Sequence, residues 1–345
     1  MNTVPAQLRP AKIDTAIGLA VGAWEAMCLA SGRSVTTPRA VVALKPQRVG
    51  RKSGVYRLEG AAEDGTAIIA KCSRRCTSSV ERIIYEQILP RLDVPRLRYY
   101  GYWEDPAGEF DWLFLEDAGR TKLIATDDAI AAQWLAQLHT DAAAMVGAIP
   151  LPERGPDHYL EHLLACRELI DVSLEELALT EEERRQLHTL QRLINRFESR
   201  WDSICAVCAN APRTLVHGDL SGKNLRLCKT DAGPRIVALD WETAGWGPPA
   251  ADLPSLPTRA QRPLKPGKLP HWDGTVPLDV YTARAAGLWR GATARDLERL
   301  AHIGTVFCAV AGARWSAEQL RAGGGMKRLI FYVEYLPRAM ALVDC

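Results

Sequence analysis

Two short segments, residues 215–227 and 237–247, constrain this chain more than any other feature of its sequence. They read LVHGDLSGKNLRL and VALDWETAGWG. Each begins as an apolar run of the kind that forms a short buried strand, and each then places oxygen-bearing side chains just after it. These side chains are Asp219 and Asn224 in the first segment and Asp240 in the second. The pattern predicts a catalytic loop and a metal-binding turn at one site.

These residue types suit the transfer of a phosphoryl group from ATP. That reaction needs an acceptor hydroxyl to be aimed and relieved of its proton, while magnesium ions bridge the phosphates and take up charge. Asp219 suits the first role. Asn224 and Asp240 suit the second, because Mg²⁺ prefers carboxylate and amide oxygens. Asp and Asn are also common in turns, so turn geometry alone is the simpler interpretation of each residue by itself.

HGDLSGKN and the following DWE together resemble the catalytic segment of the aminoglycoside phosphotransferase and choline kinase superfamily. The matching positions are His217, Gly218, Asp219 and Asn224, and Asp240 matches the acidic residue of the metal-binding turn. The resemblance implies an α+β, two-lobed, protein-kinase-like fold whose small lobe holds an antiparallel sheet and whose large lobe is mostly helical. It also implies that Asp219 and His217 are catalytic and that Asn224 and Asp240 bind magnesium.

The resemblance places a nucleotide site upstream of these motifs. VGRKSGVYRLEG, residues 49–60, is similar to the family's divergent phosphate-covering loop and would contribute Ser53 and Gly54, although an ordinary hairpin has the same pattern. AIIAKCS, residues 67–73, is an apolar strand. Its Lys71 would hold the α and β phosphates.

The glutamate that pairs with such a lysine has two candidates in the next predicted helix, Glu81 and Glu86. Ser78 or Ser79 can cap this helix. The resemblance favours Glu81, because its distance from a following Val-Pro pair is the one that related kinases show. Either glutamate could instead be a charge on the solvent face.

FDWLFLEDAG, residues 110–119, predicts a buried strand that leads into a connector. It resembles the hinge between kinase lobes. There, backbone groups from Phe114 through Glu116 to Asp117 would hydrogen-bond the adenine edge of ATP. Because the backbone would make these bonds, the identity of the side chains says little about them.

The resemblance also predicts how the chain is divided. Residues 1–115 would form an N-terminal helix and the nucleotide-binding small lobe, and residues 116–345 the hinge and the helical C-lobe with the acceptor pocket. Residues 17–30 have apolar side chains at helical spacing, interrupted by a glutamate, which favours a helix packed on the small lobe over a signal peptide. Thr126 can cap the first large C-lobe helix, with Ile130 on its apolar face.

Composition narrows the class of protein. A chain of 345 residues is long enough for two lobes, and 47% hydrophobic with 24% charged residues is typical of a globular protein. A formal net charge of +2 without a long basic run argues against a nucleic-acid partner. Nine scattered cysteines indicate reduced thiols and a cytoplasmic protein, and no stretch approaches the ~20 apolar residues of a membrane span. The oligomeric state is not indicated.

Residues 248–277 contain eight prolines, so they cannot form a continuous helix. The segment also carries Arg259, Arg262, Lys265 and Lys268. It is either a long surface loop or a wall of the acceptor pocket. If it lines the pocket, neutralising the four basic residues together should shift acceptor preference and leave ATP affinity unchanged.

The implied activity is ATP-dependent O-phosphorylation of a small hydroxylated molecule, with an antibiotic-type acceptor as the first choice. A choline- or homoserine-type metabolic kinase would keep every residue named above, and an inactive nucleotide-binding regulator would keep the fold. Acidic side chains in the C-lobe could hold a cationic aminoglycoside or be solvated helix faces, so a neutral or anionic acceptor stays open. A protein kinase is disfavoured because HRD, DFG and APE motifs are absent. Asp252 resembles the family's structural aspartate behind the catalytic loop.

Overall fold

The structure is a computed structural model that describes residues 10–45, 53–106, 108, 110–230, 233–257, 272–320 and 323–343. The chain forms two compact units. The first comprises Met1–Arg91, Pro95–Arg120 and Cys228–Glu242, and the second comprises Leu92–Val94, Thr121–Leu227 and Thr243–Cys345. The chain returns to the first unit through residues 228–242, and the assignment of residues 1–115 and 116–345 to two lobes stays a prediction.

A five-stranded antiparallel sheet of order β1-β2-β3-β5-β4 forms the centre of the first unit. Its strands are β1 (Ala40–Lys45), β2 (Ser53–Glu59), β3 (Ile68–Arg74), β4 (Tyr99–Trp103) and β5 (Phe110–Glu116). Strand β3 is central, and its Lys71 lies opposite Val55 of β2 and Leu113 of β5. The α+β fold with an antiparallel sheet near the N-terminus is confirmed.

Helix α1 (Pro10–Ala30) packs on this sheet, as the apolar spacing of the N-terminal segment predicts. Trp24 and Met27 belong to the same buried apolar cluster as Phe114 of β5, and the rings of Trp24 and Phe114 meet edge to face at 5.3 Å. Gly101 permits this approach, because a Cβ there would lie 2.4 Å from the sulfur of Met27. The helix is therefore part of the core of the first unit.

Helix α2 (Arg75–Ile83) begins before the predicted caps, so the prediction that Ser78 or Ser79 caps it is wrong. Ser78 lies inside the helix and is buried, and its hydroxyl is 2.9 Å from the hydroxyl of Tyr102. That contact in the interior accounts for a serine on an otherwise apolar face. The helix then continues through one π-helical turn, Ile84–Ile88.

The second unit is mostly helical, as predicted. Its helices are α3 (Asp128–Ala142), α4 (Pro156–Glu176), α5 (Glu181–Glu198), α6 (Trp201–Ala209), α7 (Leu278–Ala285), α8 (Ala294–Glu318) and α9 (Met326–Val343). The remaining strands of the chain are β6 (Thr214–Val216), β7 (Leu225–Thr230), β8 (Gly233–Ala238) and β9 (Gly245–Gly247). Strand β6 is fully buried and pairs antiparallel with β9, which positions the loop that follows it.

The start of α3 differs from the prediction. Thr126 lies inside a short 3₁₀ turn, and the carboxylate of Asp127 accepts the backbone N–H of Ile124 at 2.8 Å. The N-cap residue of α3 is Asp127, which makes no side-chain cap bond to the helix, so the prediction that Thr126 caps it is wrong. Ile130, predicted on the apolar face, is 37% exposed, whereas Leu135 is buried.

Some predicted features lie outside the described residues. They are residues 49–52 of the proposed phosphate-covering loop and the basic residues Arg259, Arg262, Lys265 and Lys268. Within the ranges that are described, no helix is both long enough and apolar enough to cross a membrane.

Candidate active site

The first unit gathers two carboxylates around Lys71. The ammonium nitrogen lies 2.7 Å from Glu81 Oε2 and 2.5 Å from Asp240 Oδ1. Glu86, the other candidate partner, instead pairs with Arg82 at 3.1 Å. Of the two glutamates considered from the sequence, it is Glu81 that contacts the strand lysine.

Each member of this triad is positioned by a different element. Strand β3 carries Lys71, helix α2 carries Glu81, and the turn after β8 carries Asp240. The backbone N–H of Trp241 donates to Glu81 Oε1 at 3.1 Å, which ties that turn to the helix. Asp240 has a φ of 65°, a left-handed conformation that Asp and Asn tolerate better than most side chains. The backbone at this position therefore favours Gly, Asn or Asp over other residues.

The charges of the triad are strongly coupled. Burial alone would lower the pKa of Lys71, but the carboxylates of Glu81 and Asp240 outweigh it and raise that pKa above its usual value. Burial raises the pKa of Glu81, and the Lys71 ammonium opposes that rise. Lys71 therefore carries its charge at neutral pH, and the side chain of Asp240, 41% exposed, can meet a ligand from solvent.

Glu242 is a residue whose contribution the sequence analysis missed. Its negative charge adds to that of Asp240 in raising the pKa of both Lys71 and Glu81. The signal was present, because the quoted DWE ends on this glutamate. Its spacing from Asp240 gave no reason to expect an effect on a lysine in a distant strand.

We expect Lys71→Ala to raise the apparent KM for ATP or lower kcat, with acceptor binding nearly unchanged. Removing one partner of a buried ion pair also leaves Glu81 uncompensated, at a cost of about 3–5 kcal/mol in unfolding free energy. Steady-state kinetics with ATP varied and urea unfolding measure the two effects. The double variant Lys71→Ala with Glu81→Gln is the control: it should recover part of the stability and none of the activity. Unaltered ATP kinetics in Lys71→Ala would remove the lysine from the nucleotide site.

The two residues predicted to cover the phosphates begin strand β2. The hydroxyl of Ser53 accepts a hydrogen bond from the ammonium of Lys45 at 2.9 Å, and Gly54 lies opposite Cys72 of β3. Both are buried. The structure therefore places them at the end of a strand next to the one that carries Lys71, and their contact with phosphate stays a prediction.

The three predicted hinge residues have side chains engaged within the first unit. Phe114 is fully buried, Glu116 pairs with Arg235 at 2.8 Å, and Asp117 pairs with Arg57 at 2.5 Å. These contacts explain the residue types without a ligand. The proposed contact of the adenine edge with this backbone stays a prediction.

In the second unit, Asp252 organises the catalytic loop that follows β6. Its carboxylate is fully buried and accepts the backbone N–H of His217 at 2.6 Å and of Gly218 at 2.9 Å. His139 Nε2 lies 3.4 Å from the same carboxylate, and its Nδ1 is 2.8 Å from the hydroxyl of Tyr281. The buttressing role implied for Asp252 is confirmed by these bonds. His217 is fully buried and contributes backbone groups to this network.

Gly218 makes the sharp turn of the loop. It has a φ of 75°, and a Cβ there would lie 2.7 Å from the carbonyl oxygen of Thr243. The hydroxyl of Thr243 donates to the carbonyl of His217 at 2.8 Å. A side chain at position 218 would therefore break the contact that holds the loop in place.

Asp219 follows this turn and is surrounded by other residues of its own motif. The amide nitrogen of Asn224 donates to the Asp219 carbonyl at 2.8 Å and to its carboxylate at 3.2 Å, and Lys223 forms an ion pair with the same carboxylate. Sequence analysis gave Lys223 no role, although its position four residues after Asp219 is compatible with such a pair. The arrangement holds the carboxylate of Asp219 in one orientation.

Asn224 and Asp240 have the donor atoms that magnesium prefers. The amide nitrogen of Asn224 is the donor in both of its bonds, so its oxygen is the atom suited to a cation. Asp240, in the first unit, offers a partly exposed carboxylate. Carboxylate and amide oxygens fit Mg²⁺.

We expect Asp252→Ala to destabilise the protein markedly. It would leave two buried backbone N–H groups without an acceptor, at about 1–3 kcal/mol each in unfolding free energy. Urea unfolding measures the loss. Asp252→Asn is the matched control, because its amide oxygen can still accept one of the bonds and its loss should be smaller. Equal stability of Asp252→Ala and wild type would contradict the buttressing role.

Comparison with known proteins agrees with this geometry. The sequence pattern of the phosphotransferase enzyme family (APH) matches residues 81–266, which is more than half of the chain. The matched range includes Glu81, the catalytic loop and the turn at Asp240. Among curated protein sequences, no significant match was found.

Solved structures resemble this chain along most of its length. A choline kinase from Cryptosporidium parvum is 12% identical, with 88% of this chain and 90% of that chain covered at a TM-score of 0.57. The GDP complex of a mutant aminoglycoside 2′-phosphotransferase-IIIa is 14% identical, with 92% and 96% covered at 0.56. A choline/ethanolamine kinase family protein from Mesorhizobium loti is 16% identical, with 95% of each chain covered at 0.54. At such low identities the likeness concerns the fold.

Proposed function

The chain belongs to the phosphotransferase enzyme family, and from that premise we propose that it transfers the γ-phosphoryl group of ATP to a hydroxyl of a small molecule. The fold and the family make it a small-molecule kinase. We propose further that ATP is the donor, that a hydroxyl is the acceptor, and that individual residues have the roles given below.

One observation carries the proposal: a buried lysine held between a buried glutamate and a partly exposed aspartate. Lys71 lies within 2.7 Å of Glu81 and 2.5 Å of Asp240. An ammonium that is fixed by carboxylates and charged at neutral pH is suited to bind the α and β phosphates of a nucleotide. The side chain of Asp240 is 41% exposed, so its carboxylate is accessible to a ligand from solvent.

The other roles follow from the chemistry of the residues. Asp219 accepts the proton of the acceptor hydroxyl, and Asn224 holds Asp219 in place through its amide nitrogen. Asp240 and the oxygen of Asn224 would hold magnesium. Bound there, Mg²⁺ would offset the negative charge of the phosphates during transfer. His217 supports the loop from within, and Ser53 and Gly54 would offer backbone N–H groups to the phosphates.

For the acceptor we propose a natural product of antibiotic type. The support is the likeness to aminoglycoside phosphotransferases, one of which was solved with kanamycin. The second candidate is a metabolic kinase, supported by the equal likeness to choline kinases. An inactive regulator is the least favoured, because Lys71, Asp219, Asn224 and Asp240 are all present.

A compound panel tests this function. Purified protein, ATP and Mg²⁺ would be incubated with kanamycin, a macrolide, choline, homoserine and hydroxylated carboxylic acids, and ADP release would be recorded for each compound. We expect release above background with at least one of them, and no release with Asp219→Asn. If ADP release stays at background with every compound while ATP is shown to bind, the inactive regulator would be favoured.

A further inference from the structure

Three basic side chains, Arg154, His158 and His162, meet in the second unit beside the start of α4. Nη1 of Arg154 lies 3.4 Å from both ring nitrogens of His158, and His158 Nε2 lies 3.1 Å from His162 Nε2. Arg314 of α8 acts on the same imidazole, because its charge helps to lower the pKa of His158. The cluster is outside the set of residues that the proposed reaction uses.

Arg154 differs from those arginines of the described residues that pair with a carboxylate. Arg167, Arg213 and Arg314, for example, each pair with a glutamate. Arg154 is half-buried, yet no carboxylate within the described part of the chain comes within ion-pair distance of it. Its Nε donates to the Thr243 carbonyl at 2.7 Å, and Nη2 makes no hydrogen bond to a described residue. Burying a charge without a counterion is costly, and burial lowers the pKa of Arg154 accordingly.

This guanidinium is connected to the catalytic loop. The carbonyl oxygen of Thr243 that accepts from Arg154 is also the atom that a Cβ at Gly218 would meet at 2.7 Å. The hydroxyl of Thr243 donates to the carbonyl of His217. Burial raises the pKa of Tyr159, and the charges of Arg154 and Asp219 also act on it, Arg154 opposing the rise and Asp219 adding to it. Arg154 is therefore bonded to the carbonyl that lies against Gly218, the residue directly before Asp219.

His158, beside Arg154, is a second side chain whose pKa is shifted. Burial, together with the charges of Arg154 and Arg314, lowers its pKa to about 4. The groups that face it are these two guanidiniums and His162, with Glu318 paired to Arg314 at 3.4 Å. An anion placed at the guanidinium of Arg154 would remove this repulsion.

We propose that Arg154, with His158 beside it, forms the subsite for an anionic group, a carboxylate or a phosphate, on the acceptor molecule. The inference rests on the proposed function and names its acceptor class as an anionic hydroxy compound. The planar guanidinium fork matches the two oxygens of such a group. An acceptor of this class would bind the enzyme through its anion and present a hydroxyl to Asp219. Within the two acceptor candidates proposed above, this subsite would select anionic natural products over polycationic aminoglycosides, and anionic metabolites over choline.

The test compares matched probes that differ in charge: glycerol 3-phosphate with glycerol, and glycerate with its methyl ester. The pKa of His158 is followed by NMR of the imidazole, first with inorganic phosphate and then with each probe. We expect the anionic members to raise that pKa by about one unit or more and to bind about tenfold to a hundredfold more tightly than the neutral members. Equal binding of neutral and anionic members in the wild type overturns the inference, even if every variant fails to fold.

Variants separate a binding role from a structural one. Arg154→Gln should abolish the response of His158 to the anionic probes, and Arg154→Lys should retain part of it. A lower melting temperature with an unchanged response would show that Arg154 is only a tie to Thr243. If ATP alone produces the response, the anion is the transferred phosphoryl group and the acceptor assignment is wrong. ADP release in the compound panel is measured separately from anion binding. The two results are independent, so a failure of the kinase function can be distinguished from a failure of the anion subsite.

Discussion

Asp240→Ala is expected to abolish Mg-dependent ATP turnover. The residue contributes a full negative charge where magnesium is proposed to bind, and its Oδ1 lies 2.5 Å from the Lys71 ammonium. Loss of the carboxylate would remove a metal ligand and one partner of the lysine at once. Asp240→Asn separates charge from backbone geometry, because Asn tolerates the left-handed conformation that Asp240 adopts, whereas Ala there costs about 1–2 kcal/mol.

The measurement is ADP release as Mg²⁺ is titrated, together with a calorimetric titration of nucleotide. Asn224→Ala should instead raise the Mg²⁺ concentration needed for half-maximal rate, because a neutral ligand is lost. Asp64→Asn is the matched control in the first unit: Asp64 is exposed, and Asn can still accept the Thr66 bonds that it makes. Normal turnover in Asp240→Asn, with wild-type Mg²⁺ dependence, would exclude the residue from the metal site.

Asp219→Asn is expected to lower turnover by about 10² to 10⁴, the usual range for losing general-base assistance. The substitution is nearly isosteric, so nucleotide binding and the fold should persist. Asn224 can still donate to the carbonyl of residue 219, because that bond involves the backbone. A smaller loss would indicate that the carboxylate mainly aligns the hydroxyl, since loose phosphoryl transfers depend on positioning.

Single-turnover kinetics with saturating ATP measure the chemical step directly. Asp202→Asn on α6 is the control, because it makes the same chemical change at an exposed helix position. Lys223→Gln removes the cation that pairs with Asp219 and leaves the carboxylate intact. It should therefore cost much less than Asp219→Asn. Equal turnover for Asp219→Asn and Asp202→Asn would remove Asp219 from catalysis.

The parts of the fold that sequence reasoning predicted are those with strong local signals. The apolar runs before HGDLSGKN and DWE form buried strands β6 and β8, and the apolar run around Lys71 forms β3. Each motif follows its strand directly, so the strand places it. The length and apolar character of each run are enough to predict a buried strand from a few neighbouring residues.

Long-range packing decided the features that were predicted wrongly. Ser78 looks like a helix cap, yet it lies in the interior because Tyr102 and Asp111 of neighbouring strands offer it hydrogen bonds. Thr126 looks like a cap, yet it lies in a 3₁₀ turn before α3, and the carboxylate of Asp127 bonds back to Ile124. In both places several residues could satisfy the same backbone groups, and the choice depends on neighbours far away in sequence.

The residues of the candidate site also differ in whether a local sequence pattern could identify them. The motifs contain Asp219, Asn224 and Asp240, so these residues could be named from sequence. Arg154 could not, because its contact is with the backbone carbonyl of a residue 89 positions away. Any residue type at position 243 supplies that carbonyl, so no pattern in the sequence records the pair.

The central claim is that ATP loses its γ-phosphoryl group to a hydroxyl of a small molecule at this site. Phosphorus NMR of the purified protein with ATP, Mg²⁺ and the compound panel observes that transfer directly. We predict that the γ-phosphate signal is replaced by a phosphomonoester signal with at least one compound, and that Asp219→Asn and Asp240→Ala do not produce it. A γ-phosphate signal that persists with every compound, or that converts only to inorganic phosphate, would contradict the claim.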